Sequence, residues 1–156
     1  MGETETRGIR FLRERGVAFR VVEYLYQQKG AGRAAEAVGW PEERVIKSLV
    51  ARLPPKDFHF VLVPAHRELS LRKLARVFGA KTAEMAEPRE AERLTGYATG
   101  GISPFGSYAA LPVVLEQTLL EHDEVVINAG HRGVLVALDP WTLQELLDAR
   151  VEDVIT

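Results

Sequence analysis

Thr95-Gly96-Tyr97-Ala98-Thr99-Gly100-Gly101-Ile102-Ser103-Pro104-Phe105-Gly106 holds four glycines and one proline in twelve residues. Neither a regular helix nor a strand carries that density without cost. Tyr97, Ile102 and Phe105 lie in the same stretch, and a disposable solvent loop has little need of them. Glycine lets a backbone turn sharply and lets a ligand come close to the amide groups. Two readings stay open here: a tight structural connection, or the floor or wall of a binding site held by aromatic anchors.

Upstream of the loop, Pro88 opens a helix that ends before Gly96, and a short strand near Lys81 to Met85 precedes it. Ser70 caps a helix whose Leu71, Leu74, Ala75 and Phe78 keep helical spacing, closed by Gly79. Arg72, Lys73 and Arg76 sit on its outer side, by default a solvated face. Val45 to Ala51 and Phe58 to Val63 are apolar runs joined by the turn Pro54-Pro55-Lys56-Asp57, which predicts antiparallel neighbours. Before them, Gly30 and Gly32 lead into an alanine-rich helix, Arg33 to Val38, stopped by Gly39. Pro41, Glu42 and Glu43 resemble a helical first turn. At the start, Thr4 or Thr6 caps a helix through Arg15, and Val17 to Leu25 alternates as a strand. Arg7, Arg10 and Arg13 share an outer stripe of that helix, either solvated or a handle for a phosphate backbone.

Downstream, Leu111 to Leu115 reads as a buried strand and Thr118 to Glu121 as one helical turn. Glu124 to Asn128 and Val134 to Leu138 form a hairpin around Ala129-Gly130-His131-Arg132-Gly133. Asp139-Pro140 caps and opens a helix through Leu147, and Val151 to Ile155 adds a last strand. No repeat or linker divides the chain. The reading is a single α+β domain over residues 1–156, a mixed sheet with helices packed around it.

A length of 156 residues suits one core. The formal charge of −2 argues against holding nucleic acid by bulk electrostatics, although twenty Lys and Arg leave room for a local basic face. There is no cysteine, hence no disulfide, no thiolate zinc site and no cysteine nucleophile. No apolar run approaches the roughly 18 residues of a membrane span, and the N-terminus lacks a signal peptide's apolar core. The expectation is a cytoplasmic protein with no membrane partner.

Lys47 is the anomaly of the apolar run Val45 to Ala51: its ammonium must reach water, a partner or a ligand. His59, His66, His122 and His131 show no metal-ligand spacing, so surface or turn roles are expected and no metal or cofactor is predicted. Ser103 lacks a nucleophile-elbow context. Glu116, at the end of an apolar strand, is either a partly buried acid or a cap for the next turn. Lys47 and the loop around Gly100 together suggest a small anionic or ester ligand, held by backbone N–H groups and one ammonium.

The segments Ala34-Ala35-Glu36-Ala37-Val38-Gly39, Val45-Ile46-Lys47-Ser48-Leu49, Leu71-Arg72-Lys73-Leu74-Ala75, Phe78-Gly79-Ala80-Lys81 and Gly100-Gly101-Ile102-Ser103-Pro104-Phe105-Gly106, in this order, resemble the YbaK/ProX family of aminoacyl-tRNA deacylases. The resemblance runs from about Ala18 to Thr156. It implies a largely antiparallel sheet partly closed into a barrel. It also implies a trans-acting, metal-independent hydrolase of mischarged aminoacyl-tRNA, with a small amino acid on proline tRNA as the expected substrate. The implied partners are the tRNA acceptor end and a synthetase such as prolyl-tRNA synthetase. The family's lysine falls on Lys47 and its glycine–proline element on Gly100 to Pro104. Lys47 and Gly101 are thereby the catalytic candidates, and Tyr24, Ile46, Gly100, Ile102, Ser103, Pro104 and Phe105 the substrate-binding ones. Loop amides would stabilise an oxyanion or hold the substrate. An ordinary lysine is charged at neutral pH, so Lys47 would orient the ester, ribose or phosphate rather than act as base. Ile46, Ile102 and Phe105 are candidate walls of a size sieve, with core packing the alternative. The chain departs from many relatives at Ser48, at Ser107 to Ala110, which lack basic residues, and at Glu116. A non-catalytic module of the same fold, holding an aminoacyl group or docking a synthetase, is the competing reading.

Overall fold

A computed structural model of the chain describes residues 5–27 and 31–156. Thr4 and Gly30 lie outside them. Helix α1 (Arg7–Glu14) starts at Thr6, whose Oγ1 accepts from the Ile9 amide and donates to the Ala129 carbonyl. Ile9 and Leu12 are fully buried, and Gly8 lets the helix lie on the chain at Ala129, where any Cβ would collide with backbone. Strand β1 (Arg20–Glu23) is shorter than its alternation predicts, because the Val17 amide turns back to the Leu12 carbonyl. Helix α2 (Ala31–Val38) follows, then a single 3-10 turn at Glu42–Arg44.

Strands β2 (Ile46–Leu53) and β3 (Asp57–Pro64) form the expected antiparallel hairpin, in register from Ile46–Pro64 to Leu53–Asp57. Helix α3 (Leu71–Val77) is capped by Ser70, whose Oγ accepts from the Lys73 amide. Strand β4 (Glu84–Met85) is all that remains of the run from Lys81, and among the described residues it pairs only with Ala51 and Arg52. Helix α4 (Pro88–Thr95) ends on Gly96 in the left-handed region. Strand β5 (Val113–Glu116) starts after Pro112, whose carbonyl still serves the Phe60 amide. Strands β6 (Val125–His131) and β7 (Val134–Leu138) make the hairpin, with an irregularity between Asn128 and His131 and the turn tightened to Arg132-Gly133. Helix α5 (Pro140–Leu147) begins at Asp139, which accepts from the amides of Trp141 and Thr142. Strand β8 (Arg150–Glu152) ends earlier than predicted.

The strands lie in two sheets, β1-β7-β6 and β4-β2-β3-β5-β8, which meet at a parallel bridge between Val45 and Val126. β3–β5 and β5–β8 run parallel and the remaining ladders antiparallel, so the fold is the expected mixed, largely antiparallel α+β domain. Closure into a barrel is not among the pairings of the described residues.

Both faces of the larger sheet are covered. Phe60, Leu62, Leu115, Ile127 and Phe105 fill one side, and Ala51, Val61, Val63, Leu74 and Val154 fill the other, under α3. Alternation along β3 carries His59 to the α3 side with Val61 and Val63. There it is 5% exposed and 4.5 Å from the Phe78 ring, which corrects the expected surface role. Glu116 joins both of its predicted roles. It is fully buried, caps the 3-10 turn Gln117–Glu121 through Thr118, and accepts the Val154 amide.

Candidate functional site

An open cavity of about 450 Å³ lies where the two sheets and the glycine-rich loop meet. Six consecutive residues, Val45 to Val50, contribute to its wall. One face of a strand cannot supply consecutive residues, because side chains alternate. The cavity therefore runs along the edge of β2, which β4 leaves uncovered before Ala51. The Val50 carbonyl accepts the Ala86 amide on that edge, and the Phe60 amide opposite it points away toward Pro112. By the antiparallel alternation, the amide and carbonyl of Ser48, two residues from Val50, face the same open edge. Ser48 Oγ is buried and has no hydrogen-bond partner among the described residues.

Lys47 lines the cavity and its Nζ lies 3.5 Å from Glu68 Oε1. The lysine side chain is 18% exposed and the glutamate 84%, so water screens the pair, which is weak and replaceable by a ligand anion. Across the cavity stand Thr99, Gly100 and Ile102, with Asn128 beside them. Tyr24 closes one side, and burial, then the neighbouring Tyr26, pushes its phenol up. Its hydroxyl is thus a neutral donor at physiological pH.

The loop is held from outside, almost entirely through its carbonyls. Arg132 Nε donates to the Thr99 carbonyl at 2.8 Å, and Asn128 Nδ2 to the Gly100 carbonyl at 3.2 Å. Arg7 donates to the carbonyls of Gly106 and Thr95, its guanidinium lying between the rings of Tyr97 and Tyr108. The Tyr97 hydroxyl donates to the Phe105 carbonyl. The Glu92 carboxylate accepts from both the amide and the hydroxyl of Thr99, which hold it below the usual carboxylate range. Two glycines are required here by space and backbone. Gly100 has φ +93°, and a Cβ there would meet the Tyr26 hydroxyl at 2.6 Å. A Cβ on Gly101 would press on the backbone of His131 and Arg132 at 3.1 Å. Among the described residues, the amides of Gly100, Ile102 and Ser103 donate to no protein acceptor.

Of the residues singled out in the sequence, Tyr24, Ile46, Lys47, Gly100 and Ile102 share this cavity. Gly101, Ser103, Pro104 and Phe105 are not on its lining. The Gly101 amide is committed to the Ala98 carbonyl at 2.8 Å, so it is not free for an oxyanion. Ser103 is fully buried and its Oγ accepts the Phe105 amide, a local turn contact. Pro104 is buried. Phe105 takes the core role rather than the wall role, 0% exposed and stacked with Phe11 at 6.1 Å.

Sequence reasoning missed Ser48 as a cavity residue, Asn128, Glu68 and the clamps Arg7, Glu92 and Arg132. Asn128 is the hub of the β6–β7 turn. Its Oδ1 accepts the amides of Gly130 and His131 while its Nδ2 holds the carbonyls of Gly100 and His131. Asparagine before Ala-Gly at a hairpin end was a legible turn signal. Its reach across 28 residues was not.

Residues 27–146 match the family described as the aminoacyl-tRNA editing domain. EbsC of Enterococcus faecalis, named as a candidate Cys-tRNA(Pro)/Cys-tRNA(Cys) deacylase, is 27% identical over 156 residues, 99% of this chain and 95% of its own. The multifunctional Ser/Thr-tRNA deacylase ProXp-y of Escherichia coli K12 is 30% identical over 132 residues, 81% of this chain and 78% of its own. A solved structure described as a candidate trans-editing enzyme for prolyl-tRNA synthetase superposes with a TM-score of 0.87 at 32% identity. The match covers 99% of each chain.

Proposed function

The chain belongs to the aminoacyl-tRNA editing domain family, and from that premise we propose that it hydrolyses in trans the ester of a mischarged aminoacyl-tRNA. The substrate we assign is a small amino acid on proline tRNA, and residues 1–156 act as one editing domain. One observation carries the mechanistic part: among the described residues the cavity lining holds one ammonium and no carboxylate or imidazole. The lining thus offers charge and hydrogen bonds but no strong base.

An aminoacyl ester is already activated, so a positioned water and a stabilised oxyanion are most of what hydrolysis needs. The free amides of Gly100 and Ile102 face the developing oxyanion. The edge groups of Ser48 hold the substrate's α-amino group, and Ile46 and Ile102 limit its side chain. Lys47 leaves Glu68 for the ester or the terminal ribose and phosphate. The ribose hydroxyl next to the ester relays the proton of the attacking water. Water oxygen bonds to the carbonyl carbon, the ester C–O bond breaks, and the ribose oxygen leaves with a proton.

No metal enters this scheme, and among the described residues no three His, Asp or Glu side chains gather to hold one. The names of EbsC and ProXp-y set the panel that tests it: alanyl, cysteinyl, seryl and threonyl esters on proline tRNA and on their own tRNAs. The expected result is turnover of at least one small ester, unchanged by a chelator, and lost when the terminal adenosine lacks its vicinal hydroxyl. Turnover that survives removal of the hydroxyl overturns the relay. Tight binding of every ester with turnover of none returns the non-catalytic module.

A further inference from the structure

A chain of net charge −2 has little bulk attraction for a polyanion, so taking a substrate from tRNA calls for a local positive surface. Most of the guanidinium and ammonium groups here are already spent. Arg7 holds the loop, Arg20 pairs with Glu124, Arg44 with Asp123, Arg52 with Glu84 and Lys73 with Asp153. Arg72, Arg76 and Lys81 have no ion-pair or hydrogen-bond partner among the described residues. All three line one open groove of about 610 Å³ between α3 and residues 79–83, and that lining includes no carboxylate. Arg72 and Arg76 stand one turn apart on the exposed side of α3.

Residues 83–85 link the groove to the cavity, since Ala83 lines the groove and Met85, two residues on, lines the cavity. Two guanidinium forks and an ammonium in a concave, carboxylate-free surface suit phosphate oxygens, which arginine meets with two parallel hydrogen bonds. We propose that this groove holds the sugar-phosphate backbone of the tRNA whose 3′ end enters the cavity. The proposal rests on the deacylase reading above and adds to it the place where the rest of the tRNA lies.

The test compares wild type, the triple variant Arg72→Gln/Arg76→Gln/Lys81→Gln, the charge-keeping Arg72→Lys/Arg76→Lys, and a control, Arg89→Gln/Arg93→Gln. The control pair is exposed on α4, outside the groove, and without a partner among the described residues. Binding of uncharged proline tRNA is followed against KCl concentration. Deacylation is followed on full-length aminoacyl-tRNA and on a short aminoacylated CCA oligonucleotide. Each phosphate contact adds roughly 0.7–0.9 to the slope of log affinity on log salt, so losing three flattens it by about 2.

The expected result is that flattening, with KM for the full-length substrate raised about tenfold or more and the short ester unaffected within about twofold. The lysine pair retains most of the slope, and the α4 control matches wild type. Full-length tRNA bound and deacylated as well by the triple variant overturns the proposal while leaving the deacylase intact. An equal loss in the α4 control also overturns it, since the groove is then no different from the surface. Groove-dependent tRNA binding without hydrolysis of any ester supports the groove and removes the deacylase. Binding of a synthetase, rather than tRNA, lost on the triple substitution overturns it in favour of a protein partner.

Discussion

Phe105 shows how far one residue can be read from its neighbours in sequence. The motif resemblance makes it a candidate wall, and its ring is instead fully buried against Phe11. Truncation to alanine removes a ring from a closed core, so Phe105→Ala lowers unfolding stability by about 3–5 kcal/mol in chemical denaturation. The set of esters hydrolysed stays the same. A changed set with unaltered stability would return the ring to the cavity. Asn128→Ala is expected to do the reverse. It removes the link between the β6–β7 turn and the Gly100 carbonyl, and a slight misplacement of the loop costs roughly tenfold or more in kcat/KM. A variant with full activity would show the loop to be rigid without it. Lys47 and Gly100 could be singled out because an ammonium in an apolar strand and a glycine pair are local anomalies, whereas Ile46 was named only through the family resemblance. The place of Ser48 in the cavity was not legible, since it comes from the strand edge left bare by a two-residue β4.

At the level of elements, the glycine-rich loop is positioned by helices α1 and α4 and by the β6–β7 turn rather than by its own contacts alone. The arginine stripe of α1 reads as one outer surface, solvated or a handle for a phosphate backbone, yet Arg7 leaves it to bind two loop carbonyls while Arg10 and Arg13 meet Glu5. Spacing within a helix cannot distinguish these fates, because the deciding partner is 99 residues away. Hydrogen bonds from a charged donor contribute about 1.5–3 kcal/mol, so Arg7→Met costs a loss of that order, read by denaturation, with activity falling further than stability. From α4, the Glu92 carboxylate grips Thr99 and its pKa is lowered in the fold, chiefly by the Thr99 amide. A depressed folded value means that the clamp contributes fully above the ordinary glutamate pKa, about 4.3. The contribution fades as pH falls through the lower folded value. The stability difference between wild type and Glu92→Gln, from melts between about pH 6 and pH 3, therefore shrinks on acidification. A constant difference would mean that the carboxylate does not hold the loop by charge.

For the whole molecule, the α+β class, the β2–β3 hairpin, the capped helices and the order of elements were legible, because capping residues and apolar runs are local signals. The division into two sheets joined at Val45 and Val126 was not, since parallel partners leave no turn between them to read. That junction creates the cavity, and it brings Lys47 of one sheet opposite a loop anchored by the other. In the proposed reaction this ammonium and the loop amides act together on one ester. Single-turnover deacylation of the best mischarged tRNA by wild type and Lys47→Ala, with tRNA binding measured in parallel, tests it most directly. The expected result is a fall of about a hundredfold or more in the deacylation rate with tRNA binding largely kept, as for a group acting on the transition state. A Lys47→Ala protein that hydrolyses the ester at the wild-type rate would contradict it.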